Sequence, residues 1–157
     1  GAVALAIAKE RPRTEVWAVD ASPAALRVAE ANAARLAIGN VRFLLSDWFA
    51  AVPAVPGFDV IVSNPPYVAE NDAHLQRGDL RFEPRMALTP GQDGLDAIRH
   101  IIRAAPEYLK RGGWLLFEHG QDQGEAVRDL FAMEGFVDIE TRTDDAMLDR
   151  VSLARWR

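Results

Sequence analysis

The hydrophobic positions of the chain follow two alternating patterns. Short continuous apolar runs, rich in β-branched and aromatic residues, predict buried strands, whereas apolar residues at three- and four-residue steps predict amphipathic helices. The predicted strands are residues 15–19, 41–45, 58–63, 114–117, 136–141 and 150–156. The predicted helices are one at the very start of the chain and three more at 23–38, 95–109 and 125–134. Strands and helices therefore alternate over most of the sequence.

Several residues mark where the predicted helices begin and end. Ser22 is a favoured N-cap and Pro23 is suited to the first helical position, so a helix is expected to begin there. Gly39 is expected to end that helix. Pro106 lies inside the third helical pattern and should kink or divide it.

The alternation predicts an α/β fold with a doubly wound, mostly parallel sheet and right-handed crossovers, in one domain of residues 1–157. No helix separates the last two strands, which predicts an antiparallel hairpin at the C-terminal edge. Residues 68–91 carry mixed charge, prolines and little periodicity, so they are interpreted as a long excursion. In open sheets of this kind ligands bind beyond the carboxyl ends of the strands.

Composition narrows the function classes. A net charge of −5 gives no electrostatic footprint for a polyanion, so direct nucleic-acid binding is not expected. The chain has no cysteine, which excludes disulfides and thiolate chemistry and permits a cytoplasmic location. Its three histidines have no ligand-like spacing with carboxylates, and no metal is expected. The apolar opening is too short to span a bilayer, so no membrane partner is expected.

The sharpest local signal is Asn64-Pro65-Pro66-Tyr67, which follows directly on a predicted buried strand. A planar amide or aromatic amine is a poor nucleophile because its nitrogen lone pair is delocalised. The Asn64 side-chain oxygen and the Pro65 carbonyl can each accept one N–H of such a group, which would orient its nitrogen and stabilise developing positive charge. Tyr67 can stack on the planar group. The alternative is a proline turn that only ends a strand.

Two further strand ends carry residues suited to a nucleotide-like cofactor. Asp20 follows Gly1 at the spacing at which an acidic side chain in a nucleotide-binding unit accepts from ribose hydroxyls, although Asp at a strand end also caps turns. Asp47 and Trp48 follow the next strand, and could accept from an adenine amine and pack on its ring. A surface turn with a core tryptophan is the alternative.

Four segments in this order and at these separations resemble the bacterial release factor glutamine methyltransferases. The segments are Asp47-Trp48, Asn64-Pro65-Pro66-Tyr67, Arg81-Phe82-Glu83-Pro84 and Glu118-His119-Gly120. The tetrapeptide alone is shared with methyltransferases that act on adenine amines or on a ribosomal-protein glutamine. The Arg81-Phe82-Glu83-Pro84 and Glu118-His119-Gly120 segments favour the release factor enzymes.

The resemblance implies a Rossmann-like methyltransferase that transfers a methyl group from S-adenosylmethionine to the glutamine of a Gly-Gly-Gln motif in class I peptide chain release factors. It implies a cofactor site formed by Gly1, Asp20, Asp47, Trp48 and Asn64. It also implies that Asn64, Pro65, Pro66 and Tyr67 bind the substrate glutamine, with Asn64, Pro65 and Tyr67 acting in catalysis. The remaining alternatives are the same chemistry on ribosomal protein or adenine, and an inactive or partner-binding remnant.

The resemblance also bears on the start of the chain. Gly1 would be the last glycine of the family's glycine-rich loop, with that loop's other residues, the first strand and a helical N-terminal domain lying upstream. That strand would lie between the strands that end at Asp20 and Ser63. The 157 residues on their own are therefore expected to bind S-adenosylmethionine weakly or not at all.

Overall fold

The computed structural model describes residues 1–54, 57–67 and 93–157. Its helices are α1 Ala2–Glu10, α2 Pro23–Arg35, α3 Asp96–Ala104 and α4 Gly124–Met133, with a short 3-10 helix at Ala105–Glu107. Its strands are β1 Val16–Asp20, β2 Val41–Leu45, β3 Phe58–Ser63, β4 Leu109–Glu118, β5 Val137–Thr143 and β6 Asp149–Arg155. The predicted excursion at 68–91, with its segment 81–84, lies outside the described residues. No helix within the described ranges is long and apolar enough to cross a membrane.

Residues Gly1–Pro53 form one compact unit. In it β1 and β2 pair in parallel over their full lengths, and within the described chain β1 pairs with no other strand. Helix α2 packs on both strands and buries Leu26, Ala29 and Ala33. The sequence pattern predicts one apolar stripe of these three residues and Leu36, but Leu36 follows the last helical residue and is exposed. The unit is thus a small parallel βαβ arrangement whose two strand ends lie side by side.

Helix α2 begins as predicted but ends earlier. The Ser22 hydroxyl accepts from the backbone N–H of Ala25 at 3.2 Å, and Pro23 occupies the first helical position. The expected end at Gly39 is wrong, because the last helical residue is Arg35 and the chain turns at Ala37, whose φ of 54° is left-handed. Alanine rarely adopts that conformation, so the sequence carries no clear stop signal there.

Residues Ala54–Arg157 form a second compact unit, described by itself. The four strands described in this unit lie in the order β3-β4-β6-β5, with β3 parallel to β4 and β6 antiparallel to both of its neighbours. The predicted antiparallel hairpin of the last two strands is confirmed. The structure adds that β6 lies inside the sheet and that β5 is its edge.

The third predicted helix ends earlier than expected, and the strand that follows it begins earlier. Helix α3 ends at Ala104 and a 3-10 turn carries Pro106, so the proline does divide the helical pattern. Strand β4 then begins at Leu109, which pairs with Phe58, rather than at Trp114. The strand can include Gly112 because this glycine takes a positive φ of 80° at an irregularity in the ladder.

The core of the second unit fixes the end of β4. Phe117 is buried and stacks on Phe131 of α4 with ring centroids 5.0 Å apart, and Phe136 meets Phe131 edge-on at 5.2 Å. Stacked and edge-on aromatic pairs contribute beyond their buried area. Glu118, the last residue of β4, therefore directly follows a residue that is rigidly packed in the core.

Candidate functional site

The Asn-Pro-Pro-Tyr segment leaves the sheet at the carboxyl end of β3. Ser63, the last residue of β3, pairs with Phe117 of the parallel neighbour β4, so Asn64 and Glu118 occupy adjacent strand ends. The Asn64 side chain is exposed and makes no hydrogen bond to another described residue, whereas Pro65 is buried. The segment therefore begins with the exposed Asn64, continues through the buried Pro65 and ends at the half-buried Tyr67.

The Tyr67 hydroxyl is held by Glu118. Its oxygen donates to Glu118 Oε1 at 3.0 Å, and both side chains are half-buried. Burial raises the pKa of the Tyr67 hydroxyl above its usual value, and the Glu118 carboxylate raises it further as both a negative charge and an acceptor. The nearby Arg150 works in the opposite direction. Tyr67 is therefore a neutral donor at physiological pH.

The backbone of Tyr67 is held as well. The side-chain amide of Gln123 donates to the Tyr67 carbonyl at 3.0 Å and to the Asp93 carbonyl at 3.2 Å. Its oxygen accepts from the N–H of Gly120 at 2.8 Å. One glutamine side chain thus joins the segments that follow β3 and β4 to the turn that precedes α3.

His119 belongs to a buried chain of hydrogen bonds rather than to a reactive centre. Its Nδ1 lies 2.8 Å from the Gly120 carbonyl, and its Nε2 lies 2.8 Å from the Ser152 hydroxyl. A carbonyl can only accept, so Nδ1 donates to Gly120, and the Ser152 hydroxyl is the partner of Nε2. Ser152 in turn meets the Thr141 hydroxyl at 2.8 Å. His119 is therefore a buried residue whose two ring nitrogens both have hydrogen-bonding partners.

In the first unit, Asp20 closes β1 and caps the turn that follows. Its Oδ1 accepts from the backbone N–H of Ser22 at 2.8 Å, and its side chain is half-buried. The alternative interpretation, in which Asp20 caps a turn, is therefore correct for Oδ1. The Asp20 carbonyl also accepts from the N–H of Ser46 at 3.1 Å, so the segment after β2 starts beside the end of β1.

Ser46 shapes the turn that carries Asp47 and Trp48. It is buried, its hydroxyl donates to the Trp48 carbonyl at 2.8 Å, and it accepts from the N–H of Ala51 at 3.0 Å. Trp48 takes a left-handed φ of 49°, which is uncommon for a bulky residue. Asp47 is exposed and the Trp48 side chain is half-buried. The turn thus presents a carboxylate beside an indole that is partly open.

Gly1 lies at the N-terminus of α1, against α2. A Cβ on Gly1 would overlap the Cβ of Ala29, so this glycine permits close packing of the two segments. Within the described ranges no group of three histidine, cysteine or acidic side chains is arranged to hold a metal ion.

Sequence comparison matches residues 1–80 to the family model described as the methyltransferase small domain. This match covers half of the chain. The chain belongs to this methyltransferase family. Membership implies S-adenosylmethionine as the cofactor.

Curated bacterial relatives resemble the whole of this methyltransferase chain. The release factor glutamine methyltransferase of Vibrio cholerae is 49% identical over 157 residues, which is all of this chain and 55% of the relative. Those of Burkholderia pseudomallei and Escherichia coli K12 are 52% and 51% identical over 99% of the chain and 56% of each relative. The chain therefore spans about half the length of the curated relatives that it matches.

Solved structures confirm the fold of this methyltransferase. The ribosomal protein L11 methylase of Lactobacillus delbrueckii superposes with a TM-score of 0.71 at 19% identity, over 100% of this chain and 66% of that one. A methyltransferase from Pyrococcus furiosus gives a TM-score of 0.65 at 18% identity, over 95% and 67% of the two chains. The predicted Rossmann-like α/β methyltransferase fold is confirmed.

The first unit of this methyltransferase fits its implied cofactor chemically. Asp20 uses Oδ1 to cap the turn, and Oδ2 remains available to accept from a ribose hydroxyl. The exposed Asp47 carboxylate can accept from an exocyclic amine, and Trp48 offers a flat apolar surface. The assignment of Gly1, Asp20, Asp47 and Trp48 to the cofactor remains a prediction.

Sequence reasoning missed two residues that shape the site. Gln123 was overlooked because the helix was expected to begin at Glu125, whereas α4 begins at Gly124 with Gln123 as its cap. Gly94 adopts a φ of 73° directly against the Tyr67 carbonyl. The Asp93-Gly94 pair is a typical turn signal and could have indicated a turn at that place.

Proposed function

We propose that the protein transfers a methyl group from S-adenosylmethionine to the side-chain amide nitrogen of the glutamine in the Gly-Gly-Gln motif of class I peptide chain release factors. The observation that carries this proposal is the Asn-Pro-Pro-Tyr segment at the end of β3, whose tyrosine is fixed at both its hydroxyl and its carbonyl. The names of relatives about half identical over the whole chain support the same substrate.

The first two residues of the segment would act on the nucleophile. A glutamine side chain presents two N–H groups in one plane, and Asn64 Oδ1 and the Pro65 carbonyl are two acceptors on one stretch of backbone. An acceptor for each N–H aims the nitrogen and stabilises the positive charge that grows on it. The N–C bond forms as the S–C bond of the sulfonium breaks, and the nitrogen then releases one proton to solvent.

The last residue would hold the plane of the substrate amide. The hydrogen bond to Glu118 restrains the hydroxyl end of Tyr67, and the face of the ring would orient an amide that stacks on it. Glu118 is already engaged as an acceptor, which favours a role in fixing the loop over a role as a general base. Methyl transfer from a sulfonium requires no such base.

S-adenosylmethionine supplies an electrophilic methyl carbon on a positively charged sulfur. Gly1, Asp20, Asp47 and Trp48 are the proposed holders of its ribose and adenine parts, and Asn64 is proposed to contribute to both cofactor and substrate binding. Asp20 would accept from a ribose hydroxyl through the oxygen that does not cap the turn. With a release factor as the proposed partner, the protein would act in translation termination, in the bacterial cytoplasm.

The test is methyl incorporation from labelled S-adenosylmethionine into purified release factor, ribosomal protein and DNA, assayed side by side with the complete gene product. We expect label in the release factor alone, and none in a release factor whose motif glutamine is replaced by alanine. Label that enters ribosomal protein or DNA instead would reject the proposed substrate. Label in no acceptor would favour an inactive or partner-binding remnant.

A further inference from the structure

The Gln123 side chain has a defined orientation because its partners have fixed hydrogen-bonding roles. The N–H of Gly120 can only donate, so it meets the amide oxygen at 2.8 Å. The Tyr67 and Asp93 carbonyls can only accept, so they meet the amide nitrogen at 3.0 and 3.2 Å. The Gln123 side chain therefore uses both of its N–H bonds and its oxygen on the backbone of three separate loops.

Helix capping does not account for these contacts. Gln123 is the N-cap residue of α4, but its side chain makes no capping hydrogen bond, and the helix uses only its carbonyl, which accepts from the N–H of Val127 at 2.9 Å. The side chain instead reaches across to the residue that ends the Asn-Pro-Pro-Tyr segment. Its contacts serve the loops and not the helix.

Gly94 leaves the space that the Tyr67 carbonyl occupies. A Cβ on Gly94 would overlap the Tyr67 carbonyl oxygen and approach the Gln123 amide nitrogen to 2.9 Å. The backbone at Gly94 also has a φ of 73°, which side chains disfavour. The Tyr67 carbonyl is thus enclosed between the turn at Gly94 and the amide of Gln123.

We propose that Gln123 is a positioning residue for methyl transfer, which fixes the Tyr67 backbone and thereby the ring on which the substrate amide stacks. This inference rests on the proposed function. Glu118 holds one end of Tyr67, the hydroxyl, and Gln123 holds the other end. With both ends held, the position of the ring is fixed, whereas the hydroxyl contact alone would leave the backbone end free to shift.

The variant Gln123→Glu isolates the proposed contact. Glutamate has the same size and keeps an oxygen for the N–H of Gly120, but it places a carboxylate oxygen against the Tyr67 and Asp93 carbonyls, where the donor was. Gln121→Glu is the matched control, because it makes the same change of charge at an exposed residue of the same loop. Both variants are made in the complete gene product, with the unmodified protein as parent.

We expect Gln123→Glu to raise KM for the release factor and to lower kcat/KM by about ten- to a hundredfold, the scale of a small misplacement of a reacting group. Cofactor affinity should stay at the parent value, and Gln121→Glu should match the parent throughout. In a Tyr67→Ala background, Gln123→Glu should have little further effect, since its action passes through the ring. Fully additive losses, or an unchanged kcat/KM, would overturn the proposal.

A second measurement separates this inference from the proposed function. Amide hydrogen exchange in the peptide around Tyr67 should become faster in Gln123→Glu but not in Gln121→Glu, whatever the acceptor substrate is. Unchanged exchange would overturn the positioning role. A parent protein that methylates no release factor, but whose Gln123→Glu variant exchanges faster around Tyr67, would reject the proposed substrate and leave the contact itself established.

Discussion

The hydrogen bond between Tyr67 and Glu118 can be tested by removing the hydroxyl with Tyr67→Phe. A hydrogen bond to a charged group contributes about 1.5–3 kcal/mol to stability, and these half-buried partners should lie near the lower end, at about 1.5 kcal/mol. The substitution leaves the Glu118 carboxylate without this donor. Urea unfolding of the complete gene product measures the loss directly.

The same variant distinguishes the ring from the hydroxyl in methyl transfer. Tyr67→Phe keeps the stacking surface and the Gln123 contact to the backbone, so it should raise KM for the release factor less than Tyr67→Ala does. Glu118→Gln keeps an acceptor for the hydroxyl and should be milder than Tyr67→Phe in unfolding experiments. In the double variant Tyr67→Phe/Glu118→Gln the two losses should be less than additive, because the residues share one contact.

The raised pKa of Tyr67 adds a pH dependence. A tyrosine whose pKa is higher in the folded state than in the unfolded state stabilises the fold while it is protonated in both. That contribution is present below the usual tyrosine pKa, near 10, and is lost as the pH rises through the higher folded value. The unfolding difference between the parent and Tyr67→Phe should therefore shrink at strongly alkaline pH. A Tyr67→Phe variant as stable as the parent at neutral pH would refute this reasoning.

Three further predictions concern Asn64, Asp20 and the ion pair of Arg99 with Asp93. Asn64→Ala should reduce kcat about a hundred- to a thousandfold, the loss of one preorganised acceptor worth about 2.7–4 kcal/mol, and should weaken cofactor binding much less; a kcat near the parent value would remove Asn64 from the mechanism. Asp20→Ala should weaken S-adenosylmethionine binding by about 1–3 kcal/mol in calorimetry. Asp20→Asn keeps an oxygen to cap the N–H of Ser22, so the loss of affinity that it causes measures the contribution of the negative charge. Hydrogen bonds from Arg99 lower the pKa of Asp93 to about 2, so this exposed pair stabilises the fold above the usual Asp pKa and loses its effect as the pH falls through about 2. Arg99→Met should cost about 0.2–1 kcal/mol at neutral pH in urea unfolding and nothing below that pH, and a constant difference would contradict the sign.

The sequence predicts most strands, and also the strand end that the Asn-Pro-Pro-Tyr segment follows, because apolar runs and prolines are local signals. The bounds of β2 and β3 match the prediction. The start of β4 does not match the prediction, because Leu109 joins the sheet through a register irregularity that no local pattern encodes. The predicted end of α2 is wrong for a similar reason, since the chain turns after the helix at an alanine in the left-handed conformation.

The residue types of the site were also accessible from the sequence, but their contacts were not. Chemical reasoning selects Asn64 and Tyr67 from the tetrapeptide alone. The partners of Tyr67, by contrast, lie 51 and 56 residues away along the chain, and only the folded sheet brings Glu118 and Gln123 to it. Glutamine is not a favoured N-cap residue and gives no local signal before a helix, so the role of Gln123 is visible only in three dimensions.

The central claim is that a methyl group is transferred to the side-chain nitrogen of one glutamine. Tandem mass spectrometry of a class I release factor, incubated with S-adenosylmethionine and the complete gene product, tests it most directly. We expect a mass increase of one methylene confined to the glutamine of the Gly-Gly-Gln motif, absent when the Asn64→Ala variant is used for the same short incubation. An unmodified glutamine, or a methyl group on any other residue, would contradict it.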